Sequence, residues 1–233
     1  MMRDRRDSPY EIPILFEDNH VLVVEKPVNL LSQADQTGDP DMLTLLKQDL
    51  KRRYNKPGNV YLGLVHRLDR PVGGVMVFAK TSKAASRLSD AIRTHSFQKV
   101  YMAILRGQPG RQEDRLVHRL RKDAAANRVS VVSRNDPQGK EAVLDYRVIA
   151  SADGLSLVEI QLHTGRPHQI RVQFAEIGCP LYGDQRYGSL VNEPGQQMAL
   201  WATHLTFPHP ILKEPMSFTS SPPNQIPWKG LLP

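Results

Sequence analysis

The chain lacks the residues that crosslink a protein or anchor it in a membrane. Its 233 residues include one cysteine, Cys179, so an internal disulfide is impossible. No apolar run approaches the roughly 18–20 residues that a membrane helix requires. The charged residues 1–7 are not followed by the apolar stretch of a secretory signal. We therefore expect a cytoplasmic protein with no membrane partner.

The chain is also short of aromatic residues, which make up 6% of the sequence. Base-stacking platforms are for this reason not expected to be its main binding device. Positive charge is instead in surplus, with a formal net charge of +7. Such a surplus favours polyanionic partners, chiefly nucleic acid. The basic residues are densest at 51–53 and 115–121 and predict a charged surface on a folded domain rather than a tail.

Compact spacings of metal and phosphate sites are missing as well. Ligand types are present, but no HExxH spacing and no cysteine cluster joins them. The tetrapeptide at 66–69 is similar to the HRD loop of kinases, yet the glycine-rich loop and the DFG motif of kinases are absent. We expect no metal and no cofactor. The weighed ligands are four histidines and two carboxylates: His66, His163, His168, His204, Asp69 and Asp184.

The pattern of apolar residues predicts an α+β fold with a mixed, largely antiparallel sheet and flanking helices. Residues 1–12 are expected to form a flexible arm, and residues 13–233 a single domain. Polar residues 107–140 are interpreted as a basic, partly mobile insertion in which Val129–Val132 forms one strand of a hairpin. The predicted strands are 21–26, 60–65, 75–79, 99–105, 143–149 and 155–162. The predicted helices run from 43 through Tyr54, from a cap at Thr81 or Ser82, and from near Pro167 to about Ile177.

The most informative segment is the loop His66-Arg67-Leu68-Asp69-Arg70-Pro71-Val72-Gly73-Gly74. It places one carboxylate between two arginines and joins two apolar strands. Functional residues are commonly carried on loops held by a rigid scaffold. The flanking arginines should hold Asp69 ionised, and an ionised carboxylate can act as a nucleophile. A solvated, salt-bridged turn is the alternative interpretation of the same residues.

This loop resembles the active-site motif of the RluA-type pseudouridine synthases, which isomerise uridine in RNA. Further segments resemble the same family in the same order: Lys99–Tyr101, Thr164–Arg171, Gly183–Gly188 and, more loosely, Met198–Ala202. The resemblance extends from about Pro13 to Pro210. It implies a mixed sheet with a central active-site cleft. We expect no S4 RNA-binding domain, because the catalytic pattern begins almost at once.

The resemblance also implies roles for individual residues. Asp69 is the expected nucleophile, Arg171 its bidentate charge partner, and Tyr101 the residue against the uracil face. Arg67 is expected to stack in the gap that a flipped uridine leaves. Substrate binding is expected of five residues: Arg67, Arg70, Arg166, His168 and Leu200. On a helix that starts near Pro167, His168 and Arg171 share a face.

Two departures and several rivals accompany this assignment. Val72-Gly73 stands where the family usually has Thr-Ser, and Trp201 where relatives often have histidine. A catalytically weak RNA-binding or RNA-folding protein on the same scaffold is one alternative, and a metal-dependent RNA hydrolase is another. The expected partner is RNA, a stem-loop of transfer or ribosomal RNA. The protein is expected to be a monomer with no obligate protein partner.

Overall fold

The computed structural model describes residues 11–232. The predicted arm at 1–12 therefore lies almost entirely outside the described residues. In chain order the elements are β1 (Ile14–Glu17), β2 (Val21–Lys26), α1 (Met42–Arg53), β3 (Gly63–Leu64), β4 (Gly73–Ala79), α2 (Ser82–Arg93), β5 (Gln98–Arg106), β6 (Glu113–Asp123), β7 (Arg128–Val132), β8 (Lys140–Ala152), β9 (Leu155–Leu162), α3 (Gln169–Glu176), β10 (Leu200–Pro208) and β11 (Pro215–Thr219). Helices interspersed among antiparallel strands confirm the predicted α+β class.

The chain divides into two compact units. Within the described residues, the first comprises residues 11–97 and 205–220, and the second comprises residues 98–204 and 221–232. Strand β10 belongs to both, since its residues 200–204 lie in the second unit and 205–208 in the first. The sequence contains no linker that announces this division. The catalytic domain predicted over 13–233 stays a prediction.

The first unit is built around β4, whose seven residues are all buried. Strand β2 pairs antiparallel with it, with Val24 opposite Met76 and Lys26 opposite Gly74. The side chain of Asp41 caps α1 by accepting from the Thr44 N–H, and Thr81 caps α2 in the same way. The helix predicted through Tyr54 and the helix predicted from Thr81 or Ser82 are thereby confirmed. The strand predicted over 60–65 shortens to β3.

The second unit contains an antiparallel sheet in which β5, β9, β8, β6 and β7 are neighbours in that order. The register aligns Tyr101, Ile160 and Tyr146 across its three inner strands. Helix α3 packs Phe174 against the Tyr146 ring, at a centroid distance of 5.4 Å. The helix predicted from near Pro167 to about Ile177 is confirmed as α3, and Gly178 follows with a φ of 77°.

The polar region 107–140 is more regular than an insertion with one strand. Strands β6 and β7 form a complete hairpin, and β6 continues the sheet through β8. Leu120 and Val129 of this hairpin are buried against Ala142 and Val172. The sequence pattern missed β6 because charged residues occupy its exposed face and hide the alternation.

No helix in residues 11–232 is long and apolar enough to cross a lipid bilayer.

Candidate active site

Asp69 lies in the first unit, on the loop between β3 and β4. The carboxylate-bearing residue is half-buried, Leu68 before it is buried, and Arg67 is exposed. The N–H of Val72 donates to the Asp69 carbonyl at 3.0 Å, which closes a tight turn after the aspartate. His66 Nε2 accepts from the Val77 N–H at 3.1 Å and ties the loop to β4. The loop is thus held by hydrogen bonds on both sides of Asp69.

A buried lysine forms the base of this loop. Lys26 is fully buried at the end of β2. Its Nζ donates to the carbonyls of Val72, Pro27 and Arg70 at 2.7, 3.0 and 3.1 Å. Burial lowers its pKa to about 7, although the nearby negative charge of Asp69 acts in the opposite direction. Lys26 therefore fixes the backbone that follows Asp69 and places a titratable amine close to the carboxylate.

Ser32 fixes the backbone that precedes Asp69. Its hydroxyl is buried, donates to the Leu68 carbonyl at 2.7 Å and accepts from the Leu68 N–H at 3.2 Å. Both polar groups of one peptide residue are satisfied by a single side chain. Val72 is buried and Gly74 has a φ of 114°. Lys26 and Ser32 thus brace the loop in a chain where Val72-Gly73 replaces the hydroxyl-bearing residues usual in the family.

Arg70, the loop arginine that follows Asp69, is paired with a carboxylate. Arg70 Nη1 lies 2.6 Å from the Asp39 carboxylate, and its Nε donates to the Asn29 carbonyl at 3.3 Å. Both partners of this ion pair are more than 40% exposed, so its net stabilisation is small. Arg70 therefore forms an exposed ion pair with Asp39, which links the active loop to the turn at 37–40.

Arg171 lies in the second unit, on α3, and is buried. Its guanidinium clamps the buried Asp184 carboxylate bidentately, with Nε–Oδ2 at 2.7 Å and Nη2–Oδ1 at 2.9 Å. Oδ1 of Asp184 also accepts from the N–H groups of Arg186 and Tyr187. Burial raises the pKa of Asp184, but the Arg171 guanidinium and these backbone donors outweigh it and hold that pKa below its usual value. Arg171 is therefore a buried cation that is held in a bidentate ion pair with a carboxylate whose pKa is lowered.

Tyr187 joins Arg171 to His168. The Tyr187 ring centroid is 5.1 Å from the Arg171 Cζ, and its hydroxyl is 2.7 Å from His168 Nδ1. His168 is the N-cap of α3 and has a left-handed φ of 52°. Tyr187 thus contacts both His168 and Arg171, the two residues that the sequence predicts to lie on one helix face.

The start of α3 is organised by Gln169. Its Oε1 accepts from the Thr164 hydroxyl at 2.7 Å and from the Arg166 N–H at 3.0 Å. Its Nε2 donates to the Val143 carbonyl at 3.1 Å. Arg166 Nε donates to the Glu141 carbonyl at 2.8 Å. The loop that precedes Arg171 is therefore fixed to β8 by a buried side-chain amide.

Tyr101 and Leu200 are both buried in the second unit. Tyr101 lies in β5 and is 6% exposed, and Leu200 begins β10 and is 4% exposed. Lys99 precedes Tyr101 by two residues on the same face of β5, and burial lowers its pKa. Within the described chain, no carboxylate lies within 4 Å of its amine. The Asp69–Arg171 pairing stays a prediction, since the two residues belong to different units.

The basic clusters predicted from the sequence are largely paired with carboxylates. Arg52 and Arg53 bind Asp49, at 2.9 and 2.6 Å. Arg115 binds Asp145 at 2.6 Å, and Arg121 binds Asp136 at 2.8 Å. Among residues 11–232, the exposed Lys122 and Arg134 have no carboxylate within 4 Å. The net charge therefore says less about where a polyanion binds than the unpaired cations do.

The histidines weighed as metal ligands have other partners. His163 Nε2 lies 2.7 Å from Asp145, while His66 and His168 bond to Val77 and Tyr187. No group of three or more His, Cys, Asp or Glu side chains within residues 11–232 is arranged to hold a metal ion. Asp184, one of the weighed ligands, is instead the anchor of Arg171.

Sequence reasoning missed Lys26, Ser32 and Tyr187 and saw Asp184 only as a possible ligand. Tyr187 and Asp184 fall inside the segment 183–188 that was already quoted for its resemblance, so a signal for them existed. The signal for Lys26 is a lysine that ends an otherwise apolar strand directly before Pro27. For Ser32 we find no signal in the sequence.

Comparisons with known proteins agree with this architecture. The family model of RNA pseudouridylate synthase matches residues 20–176. The ribosomal large subunit pseudouridine synthase D of Zymomonas mobilis is 34% identical over 236 residues, covering 96% of this chain and 74% of that protein. An uncharacterized RNA pseudouridine synthase of Bacillus subtilis is 34% identical over 223 residues, covering 94% and 75%. The fold is similar to that of human RNA pseudouridylate synthase domain containing 4, with a TM-score of 0.75, 24% identity and coverage of 91% and 88%.

The family match spans well over half of the chain and includes the Asp69 loop, Tyr101 and Arg171. The relatives extend the similarity over nearly the whole sequence. The implied resemblance is thereby confirmed: this chain belongs to the RNA pseudouridylate synthase family and is an isomerase that acts on uridine in RNA.

Proposed function

We propose that the protein converts uridine in ribosomal RNA to pseudouridine with Asp69 as the nucleophile. The observation that carries the assignment is the bracing of the Asp69 loop, in which Lys26 and Ser32 hold the backbone on both sides of the carboxylate. Such rigidity is what a preorganised nucleophile requires. A solvated surface turn has no use for a fully buried lysine at its base.

The reaction is an isomerisation, so its atoms balance without a co-reactant. The bond between the ribose C1′ and uracil N1 breaks, and a bond between C1′ and uracil C5 forms. The proton of C5 leaves, and N1 takes up a proton. Asp69 attacks the target nucleotide, Arg171 is its charge partner, and Tyr101 lies against the uracil and assists removal of the C5 proton. No redox change and no energy donor is required.

Substrate recognition is assigned to the remaining predicted residues. Arg67 is exposed and fills the gap left by the flipped uridine, a step that costs roughly a few kcal/mol. Arg70, Arg166 and His168 contact the RNA backbone, and Leu200 packs in the uracil pocket. Exposed, unpaired cations such as Lys122 and Arg134 add electrostatic affinity. The protein acts as a cytoplasmic monomer and needs no protein partner.

Ribosomal RNA is favoured over transfer RNA because relatives of known name, such as the Zymomonas mobilis protein, are ribosomal large subunit pseudouridine synthases. The test uses ribosomal and transfer RNA labelled with tritium at uracil C5, because the C5 proton is lost in the reaction. Tritium release from ribosomal RNA alone supports the assignment. Release only from transfer RNA refutes the substrate, and RNA binding without release from either favours the non-catalytic alternative.

The size of the recognised element is tested on the same label. We propose that an excised stem-loop carrying the target uridine is modified nearly as well as the full-length RNA. The comparison is between kcat/KM values on the two molecules. A loss of a thousandfold or more on the stem-loop, about 4 kcal/mol of transition-state stabilisation, would show that distant RNA contacts dominate.

A further inference from the structure

Two kinds of contact bear on the orientation of the Arg171 guanidinium. The Asp184 carboxylate fixes Nε and Nη2 in the plane of the guanidinium. The Arg171 Cζ lies over the ring of Tyr187, 5.1 Å from the ring centroid. A bidentate carboxylate leaves the guanidinium able to rock about the line that joins the two groups. A ring against its face restricts that rocking.

The ring of Tyr187 is itself held at both ends. At the backbone, its N–H donates to Asp184 Oδ1 at 3.2 Å. At the tip, its hydroxyl accepts from the Val129 N–H at 2.9 Å and lies 2.7 Å from His168 Nδ1. The hydroxyl accepts from the Val129 N–H and forms a second hydrogen bond with His168 Nδ1, whose direction depends on the histidine tautomer. The ring therefore has a defined position before any substrate binds.

Val129 connects this arrangement to the β6–β7 hairpin. Val129 is buried with Leu120 and Ala142 against Val172, the residue that follows Arg171 on α3, and Tyr187 packs against the same cluster. The hairpin thus contributes one N–H to the tyrosine hydroxyl and apolar contacts to the helix.

We propose that Tyr187 is a positioning residue that ties the docking of the β6–β7 hairpin to the orientation of the Arg171 guanidinium. Its ring holds the plane of the cation, and its hydroxyl is fixed by His168 and by the hairpin. This inference rests on the proposed role of Arg171 in the reaction. It adds a function for the hairpin, which becomes part of the support of the catalytic helix.

The experiment separates the ring from the hydroxyl. Tyr187→Leu removes both, whereas Tyr187→Phe keeps the ring against Arg171. By tritium release, Tyr187→Leu is expected to lower kcat about 30-fold with KM changed less than about threefold, since a lost cation–π contact acts on the cation alone. Tyr187→Phe keeps the ring but removes its hydrogen bond to the hairpin, so kcat is expected to fall about three- to fivefold, and an unchanged kcat would show that the hairpin does not act on Arg171 through this hydroxyl. Arg128→Ala is the matched control, because Arg128 lies over the same ring at 5.4 Å but is exposed.

A second background distinguishes positioning from general structural support. In Arg171→Lys, which has no planar cation, adding Tyr187→Leu should lower kcat less than about threefold further. The same 30-fold loss in both backgrounds would overturn the proposal, as would a loss in KM alone. Unfolding of Tyr187→Leu leaves the Phe variant decisive: a loss above about tenfold with the ring retained would also overturn it. A wild-type enzyme that releases no tritium from any RNA would contradict the proposed function instead.

Discussion

The two units hold their key charged residues by opposite means. In the first unit, Lys26 donates hydrogen bonds to three neutral carbonyls and so fixes the backbone around Asp69. In the second unit, the ionised carboxylate of Asp184 holds Arg171 in a bidentate ion pair. A carboxylate at Lys26 would compete with Asp69 for the positive charge, whereas Arg171 has enough donors to serve a structural carboxylate permanently. The comparison teaches that support for a reactive group depends on whether its charge must remain available.

The largest expected loss of activity comes from changing Asp69, the residue that the first unit supports. Asp69→Asn keeps the shape of the loop and removes the nucleophile, so we expect kcat to fall by at least roughly a thousandfold. The measurement is tritium release from C5-labelled RNA, with RNA affinity followed separately. Affinity should stay within about threefold, because the loop is braced through backbone groups. Substantial turnover by Asp69→Ala would rule out the carboxylate mechanism.

Weakening the Arg171–Asp184 ion pair of the second unit should lower turnover more than RNA binding. Arg171→Lys keeps the charge but loses the fork that engages both oxygens of Asp184. We expect kcat to fall about a hundredfold and RNA affinity to change less than about threefold. The control is Arg147→Lys, which makes the same exchange in an exposed pair with Glu159. Equal losses of turnover and affinity would instead identify Arg171 as a phosphate contact.

The role of the Lys26 hydrogen bonds in the first unit is tested by removing the amine of Lys26. Lys26→Met keeps the length of the side chain and leaves the carbonyls of Pro27, Arg70 and Val72 without their donor. We expect the free energy of unfolding at pH 8 to fall by about 3 kcal/mol. Urea denaturation measures it, and the kcat of the folded fraction should also fall. Unchanged stability with unchanged kcat would mean that the loop does not depend on Lys26.

The sequence predicts the elements of the first unit well, but it predicts the supporting contacts of Lys26 and Arg171 to different extents. Apolar runs, helical spacing and a capping residue predicted β2, β4 and both helices of the first unit, because these signals are local. Lys26 was missed because its acceptors at Arg70 and Val72 are more than forty residues away in the chain. The motif predicted Arg171, whereas its partner Asp184 was considered only as a possible metal ligand. A long-range partner leaves no periodic trace in a single sequence.

The pH dependence of stability sharpens the same contrast. The folded-state pKa of Lys26 is lowered to about 7, while an exposed lysine titrates near 10.4. Between these values the unfolded chain binds more protons, so wild-type stability should rise with pH relative to Lys26→Met. The rise is at most about 1.4 kcal/mol per pH unit. Urea denaturation of both proteins from pH 7 to 9 measures it, and a difference independent of pH would contradict the lowered pKa.

The smallest expected effect concerns Ser32, which satisfies both backbone groups of Leu68 next to Asp69. Ser32→Ala removes both hydrogen bonds without adding bulk, and we expect about 1 kcal/mol of lost stability. We also expect kcat to fall about three- to tenfold with KM unchanged, because the loop that presents the nucleophile gains freedom. Ser156→Ala is the matched control: Ser156 is also buried and donates to the Gly107 carbonyl at 2.8 Å in the second unit. Both variants should lose similar stability, but only Ser32→Ala should lose turnover. Equal kcat losses in the two would show that any weakened hydrogen bond slows the enzyme, and that the bracing of the Asp69 loop has no special part in presenting the carboxylate.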